Sequence, residues 1–292
     1  MNKLTILVTV VLVLGASSTY SQTFLGCPER NYKCQLKAAA KALEADPKNP
    51  ENYYNMALVF QRRGNHKEAV ESFSMYVGIP GLKAEYLADG YNNRGISNRK
   101  LGRADLAVAD YTKAFGLMPN DPRFVANRGN AYTDLKKYDL ALADYASVLK
   151  LNPRFAPAYS GRGNLYGAIS RFNEAIVDFS KAIEIDPAEP ENYYHRAVMY
   201  RETREHLKAI ADYDKYIPMM SGSSAYQADG YLNRGIAYAS ISRRDQALAD
   251  FTRVIELDPK RASGYKARAM IYRELKKDDL ATADEKKAAE LK

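Results

Sequence analysis

Two cysteines and three histidines are all that 292 residues hold of the side chains most used for metal binding and thiol chemistry. His66 and His206 lie 140 positions apart in equivalent turns, so duplication accounts for both, and His195 has no serine or cysteine nucleophile motif beside it. Neither a metal-ligand spacing nor a glycine-rich phosphate loop is present, so no metal, no cofactor and no enzyme is expected. Long apolar runs are equally scarce. The one candidate, "LTILVTVVLVLGA" over residues 4–16, falls short of the roughly 20 residues a membrane-spanning helix needs. Preceded by Lys3 and followed by small and polar residues, it reads as an export signal over residues 1–21, cut after Ser18 or Ser21. The alternatives are an uncleaved anchor, or lipid on Cys27, where "FLGC" loosely resembles a lipobox. A cleaved chain has no membrane span.

Export leads to an oxidising periplasmic or extracellular space, in which Cys27 and Cys34 are expected to form a disulfide. Seven helical residues rise about 10 Å, beyond the roughly 7 Å reach of a bridged pair, so the two cannot share one unbroken helix. Pro28 supplies the break.

What the chain has in abundance is repetition. "AYTDLKKYDLALADYASVLKLNP" from Ala131 aligns with "LYGAISRFNEAIVDFSKAIEIDP" from Leu165, at a period of 34. Each period holds two apolar-periodic stretches of helical length and closes on a proline that stops the second helix. Small residues mark the close approach of the two helices: Gly95, Gly129, Gly163 and Gly235 in the first, Ala107, Ala141, Ala175, Ala209 and Ala247 in the second.

These residues resemble the tetratricopeptide repeat family, whose pattern is an aromatic, Gly or Ala, Tyr, Ala, an aromatic, Ala and Pro at fixed offsets. The resemblance implies an all-α, right-handed solenoid of stacked helix-turn-helix units. Seven units fall near residues 50–83, 88–121, 122–155, 156–189, 190–223, 228–261 and 262–292. An N-terminal segment over 22–49 carries the cysteine pair and a capping half-unit that ends in "KALEADP". A longer period of 140 lies above the short one, since "PENYYN" at Pro50 returns as "PENYYH" at Pro190 and "ADGYNNRG" returns as "ADGYLNRG". Four units of 34 plus four make 140, so each block carries one four-residue insertion, near "GIPGLKAEYLADG" and "PMMSGSSAYQADG", where a local change of stacking angle is expected. Glu285 takes the slot that Phe73, Tyr111, Tyr145, Phe179, Tyr213 and Phe251 fill earlier, as a polar end cap requires.

Just before the small residue of the first helix stands an arginine: Arg94, Arg128, Arg162, Arg196, Arg234 and Arg268. Sixteen residues after each comes an aspartate: Asp110, Asp144, Asp178, Asp212, Asp250 and Asp284. The first unit breaks both rules together, with Met56 and Ser72, so each arginine is expected to pair with the aspartate of its own unit.

In the resembled family the first helices line a concave groove that binds an extended peptide or a partner helix. The corresponding face here carries Asn55, Asn92, Asn93, Asn127, Asn130, Asn164 and Asn233, amides able to bond peptide backbone of any sequence. Asn93 and Arg123 are the only residues near a carboxylate-clamp pattern, and Tyr54, Tyr194 and His195 offer stacking surface. In the fourth unit Pro157, Ser160, Gly161, Asn164, Gly167 and Ala168 are small or uncharged, which leaves room for a bulky ligand side chain. Charge on this face is balanced, so no nucleic acid is expected, and the formal net charge of +8 must lie elsewhere. The expected function is a protein-binding scaffold with one or more protein partners. The alternatives are a reader of envelope polysaccharide and self-association through the stacking faces.

Overall fold

The structure, a computed structural model, describes residue 27 and residues 31–291; the expected export signal lies outside them. Among the described residues every regular element is an α-helix, and none is long and apolar enough to cross a membrane. A lone α1 (Tyr32–Ala45) is followed by seven pairs: α2 (Pro50–Arg62) and α3 (His66–Val77), α4 (Ala84–Lys100) and α5 (Ala104–Leu117), α6 (Pro122–Asp134) and α7 (Tyr138–Leu151), α8 (Ala156–Ala168) and α9 (Phe172–Ile185), α10 (Pro190–Glu202) and α11 (His206–Met219), α12 (Ser224–Ser240) and α13 (Arg244–Leu257), α14 (Ala262–Glu274) and α15 (Asp278–Glu290). Cys34 lies in α1 and Cys27 before it. Their sulfurs are bonded, with the Cα atoms 5.7 Å apart.

Local chemistry sets the helix ends. Pro50, Pro122 and Pro190 sit in the first turn of α2, α6 and α10, where a missing N–H leaves no helical bond unmade. Asn49 and Asp121 cap two of these helices by accepting from the Glu51 and Arg123 amides at 3.0 and 2.9 Å. Inside every pair one turn residue is left-handed: Gly64, Gly102, Lys136, Ser170, Arg204, Ser242 and Lys276. The last five have a Cβ, and each holds roughly 1 kcal/mol of backbone strain that glycine would not. Pro218 departs from the expected stop signal, because it lies inside the last turn of α11. The helix ends one residue later, so only the proline's own bond is lost.

The four-residue insertions are helix. α4 and α12 have 17 residues, whereas the first helices of the other five pairs have 13. One helical turn is 3.6 residues, so an insertion of four adds a turn and keeps the buried face in phase.

Contacts gather the described residues into two compact units divided between Asp144 and Tyr145, inside α7. In the first, α1 packs on α2, α3 lies against α2 and α4, and α5 lies against α4 and α6. In the second, α9 lies against α8 and α10, α11 against α10 and α12, α13 against α12 and α14, and α15 packs on α14. Successive first helices also touch: α4 with α6, α8 with α10, α10 with α12 and α12 with α14. Each unit is thus a solenoid segment with a layer of first helices and a layer of second helices. The six aromatics from Phe73 to Phe251 are essentially fully buried in this stack. Gly235 shows why its position is small: a Cβ there would stand 2.6 Å from Cε1 of Phe251.

Each arginine forks onto the aspartate of its own second helix. The closest distances are 2.6 Å for Arg94 to Asp110, 2.7 Å for Arg128 to Asp144, Arg162 to Asp178, Arg196 to Asp212 and Arg234 to Asp250, and 2.8 Å for Arg268 to Asp284. In the last five, Nε donates to one carboxylate oxygen and Nη2 to the other. The remaining nitrogen grips the preceding pair: Nη1 of Arg94 reaches Ser74 at 3.1 Å, Arg196 reaches Ser180 at 3.0 Å, Arg234 reaches Asp214 at 2.6 Å and Arg268 reaches Thr252 at 3.2 Å. For Arg162, Arg196 and Arg234, tyrosines three before and four after cover the guanidinium. Arg234, for example, lies 5.3 Å from the Tyr231 ring and 5.8 Å from that of Tyr238. Hydrogen bonds donated to the aspartates hold Arg128, Arg162 and Arg268 above their ordinary pKa, so these forks remain charged at any pH that ionises the carboxylates.

Two stability measurements check this packing. Gly235→Ala should cost about 1–3 kcal/mol in urea melts by overpacking the buried Phe251 ring. Arg162→Ala should cost about 3 kcal/mol by stranding the Asp178 carboxylate, whereas Arg162→Met with Asp178→Ser should lose less than half as much. Equal damage from the single and the double variant would overturn the pairing role.

Candidate functional site

The first-helix face of each unit is the surface on which a ligand was expected, and several of its asparagines turn out to be spoken for. Asn55, Asn92 and Asn93 are buried. Asn93 donates to the Tyr54 hydroxyl at 2.9 Å and to the Asp89 carbonyl at 3.0 Å, and its counterpart Asn233 donates to Tyr194 at 3.1 Å and to the Asp229 carbonyl at 2.9 Å. Asn127 donates to Oδ1 of Asn92 at 2.8 Å. The expected row of amides open to a peptide is therefore corrected: successive first helices touch, and amides at their contact line bond to the neighbouring helix. Asn130 is half-buried, and Asn164 alone of the seven is exposed.

The aromatic residues have a similar fate. Tyr54 is 4% exposed and packs edge-on against Phe73 and tilted against Tyr76, with centroids 5.7 and 5.0 Å away. Tyr194 repeats this against Tyr213 and Tyr216 at 5.9 and 5.0 Å. His195 stacks on Phe179 at 5.7 Å, and burial holds its pKa below the ordinary value, so it is neutral at pH 7. The room expected in the fourth pair is partly taken as well. A Cβ on Gly167 would stand 3.0 Å from Sδ of Met199, so that glycine makes space for methionine, while Pro157, Asn164 and Ala168 are exposed.

Charge on this face is paired, and differently in the two duplicated blocks. In the first unit Arg123 bonds Asp121 at 2.5 Å and Asp89 at 3.0 Å, and Arg99 meets Asp134 at 2.5 Å. In the second, Asp229 and Glu274 stand at the positions of Asp89 and Asp134, but their arginines are Arg261 at 2.5 Å and Arg244 at 2.9 Å. The acids kept their places while the arginines moved, and both bridges still tie successive pairs together. Arg123 is therefore a strut of the framework, which removes it as half of a carboxylate clamp.

In the first unit a cleft of about 670 Å³ opens at the ends of α4 and α6. Ile96, Arg99, Lys100, Tyr111, Asn127 and Asp134 line it, with Gly102 and Ala104 from the turn into α5. Tyr111 forms a buried floor, pushed far above the ordinary phenol pKa chiefly by burial. The walls combine an amide, an exposed ammonium and a guanidinium that already holds one carboxylate, which suits a hydrogen-bonding, acidic ligand group.

Two asparagines separate framework from surface. Asn93→Ala should destabilise the chain by about 1–3 kcal/mol in denaturant melts, because the Tyr54 hydroxyl loses its buried partner. Asn164→Ala should leave the midpoint within about 0.5 kcal/mol of the parent.

Models of the tetratricopeptide repeat match residues 38–71, 88–121, 156–188 and 228–261, and a TPR repeat model matches 129–170. Together these segments cover more than half of the chain. Among curated proteins, none matches its sequence. Among solved structures it is similar to a chain of the APC/C hetero-tetramer Cut9-Hcn1, at 16% identity and TM-score 0.64, over 94% of this chain and 52% of that one, so it spans about half that protein's length. It is also similar to a tetratricopeptide repeat protein from Parabacteroides merdae, at 23% identity and TM-score 0.57 over 83% of this chain and 93% of that one. MamA aligns with 56% of this chain and 93% of its own, at 25% identity and TM-score 0.52. Identities of 16% and 23% speak for the fold alone. Repeated matches in both units, on stacked helix pairs of the right register, show that the chain belongs to the tetratricopeptide repeat family, whose fold is that of protein-binding scaffolds.

Proposed function

We propose that the chain is a non-catalytic scaffold of the cell envelope or extracellular space that binds an extended peptide or partner helix on its first-helix face. The observation that carries this is the division of labour on that face. Its inward amides, phenols and arginines bond to neighbouring helices, while Asn164, Lys266 and Met270 stay exposed on a framework that needs none of them. A fixed frame carrying variable exposed side chains is what recognition of a partner requires, since little ordering is needed on binding. The export signal expected over 1–21 and the Cys27–Cys34 bridge support the extracytoplasmic setting. The polysaccharide reading asked for exposed rings and amides, and Tyr54, Asn55, Asn92 and Asn93 are buried.

Photo-crosslinking amino acids placed at Asn164 and Lys266 report on the first-helix face, and at Leu106 and Leu280 on exposed sites of second helices. Crosslinked in cells, the first two should yield a defined protein adduct and the second two should not. Equal labelling from both pairs, or retention on purified wall polymer without any protein adduct, would overturn the proposal. Thiol alkylation before and after reduction tests the setting, and a chain isolated with both cysteines already reactive would contradict export.

A further inference from the structure

The turns that join first to second helices differ sharply between the two duplicated blocks. Around the first two turns of the first unit stand Arg62, Arg63, Lys67, Lys100 and Arg103, all exposed, with Arg99 half-buried beside them. Among the described residues, none of those five has an acid within ion-pair distance. The residues 140 positions on are Glu202, Thr203, Leu207, Ser240 and Arg243, so only one keeps its charge, and Arg99 becomes Ala239. The turns of the second unit also neutralise cations of their own: Arg171 pairs with Glu174, Lys208 with Glu205, Arg244 with Glu274 and Arg273 with Asp278. The framework is shared by the two copies, so the basic edge is not a requirement of folding. Unpaired like charges repel one another, and such a row is a cost to stability that a framework without a ligand has no reason to keep. The 670 Å³ cleft opens along this edge, between Lys100 and Asn127, where the Arg99 fork already donates to the Asp134 carboxylate.

We propose that this edge of the first unit, including the cleft at Lys100, docks an acidic segment of a partner protein. This rests on the scaffold reading above and adds a second surface, at the helix turns, to the first-helix face. A carboxylate side chain enters between Lys100 and Asn127, where ammonium and amide can both donate to it, and further acids along the segment meet Arg62, Arg63, Lys67 and Arg103. His66 sits in the same turn as Lys67. Burial, and after it the Lys100 ammonium, holds its pKa below the ordinary value, so a carboxylate bound at Lys100 should raise it.

The test uses the full mature chain and a fluorescein-labelled octaglutamate peptide, read by anisotropy. Arg63→Thr with Lys100→Ser, which installs the residues of the second copy, should weaken binding roughly five- to tenfold. Lys276→Ser with Lys277→Thr removes the same charge from the second unit and should change it less than about twofold. In an NMR titration the His66 midpoint should rise when the peptide saturates, while the His206 resonance stays in place. Equal weakening by the two double variants, no binding, an unmoved His66, or tighter binding to phosphatidylglycerol vesicles or polyphosphate than to the peptide would each overturn the proposal. If crosslinks from Asn164 capture a partner while the edge variants bind octaglutamate like the parent, this inference fails and the scaffold reading stands. The reverse pattern removes the first-helix face instead.

Discussion

The arginine held between two helix layers is the contact on which the rest of the structure depends. Arg94, Arg196, Arg234 and Arg268 each fork onto an aspartate of their own pair and reach a hydroxyl or carboxylate of the pair before, so one side chain ties three helices. Burying such an ion pair gains little net free energy, because both ions lose water. What it does is restrict geometry, since a planar fork satisfies both oxygens at one helix spacing only. The first pair explains why the ladder starts where it does. An arginine at Met56 would meet Ser72 in its own pair, and the residue aligned with the Ser180 grip is Ala40 in α1. Ser72 has no carboxylate to take the fork and Ala40 has no side-chain oxygen to take the second grip, so an apolar residue stands there.

Duplication offers a second view of the same constraint. Asp89 and Asp229 occupy equivalent positions but are met by Arg123 and Arg261, which do not; Asp134 and Glu274 likewise are met by Arg99 and Arg244. When one partner of a half-buried bridge is lost, the remaining charge is left desolvated, and an arginine arriving from an adjacent turn relieves it. The bridge therefore outlasts the residues that first made it. In both blocks these bridges join one helix pair to the next, the step at which successive pairs stack.

The fold was readable because its signals repeat: a period of 34, small residues facing aromatics, and prolines at the joins. The arginine pairing was readable from a single exception, the joint change to Met56 and Ser72. Its second grip went unread, although Ser74, Thr112, Ser180, Asp214 and Thr252 all stand two residues after the aspartate position and all carry a side-chain oxygen. The face of the asparagines was readable, but their depth was not. Helical periodicity gives the direction of a side chain, and burial depends on how closely the next first helix approaches. Asn93 lies against Tyr54 of a helix thirty-nine residues earlier, and no local pattern encodes that distance. Insertions raised the same difficulty, since four residues fit either a loop or a turn of helix, and only the buried phase of α4 and α12 decides between them.

Recognition then has to be sought where the copies differ on a frame that does not. Positions that bear the load of stacking are alike in the two blocks, or are replaced together with their partners. Arg62, Arg63, Lys67, Lys100 and Arg103 follow neither pattern: their charges meet no acid within the described chain, and the second copy dispenses with four of the five without altering the helices they join. A side chain that can vanish from one copy without disturbing it contributes little to folding. Its persistence in the other copy points outward, to a partner whose charge the chain itself does not supply.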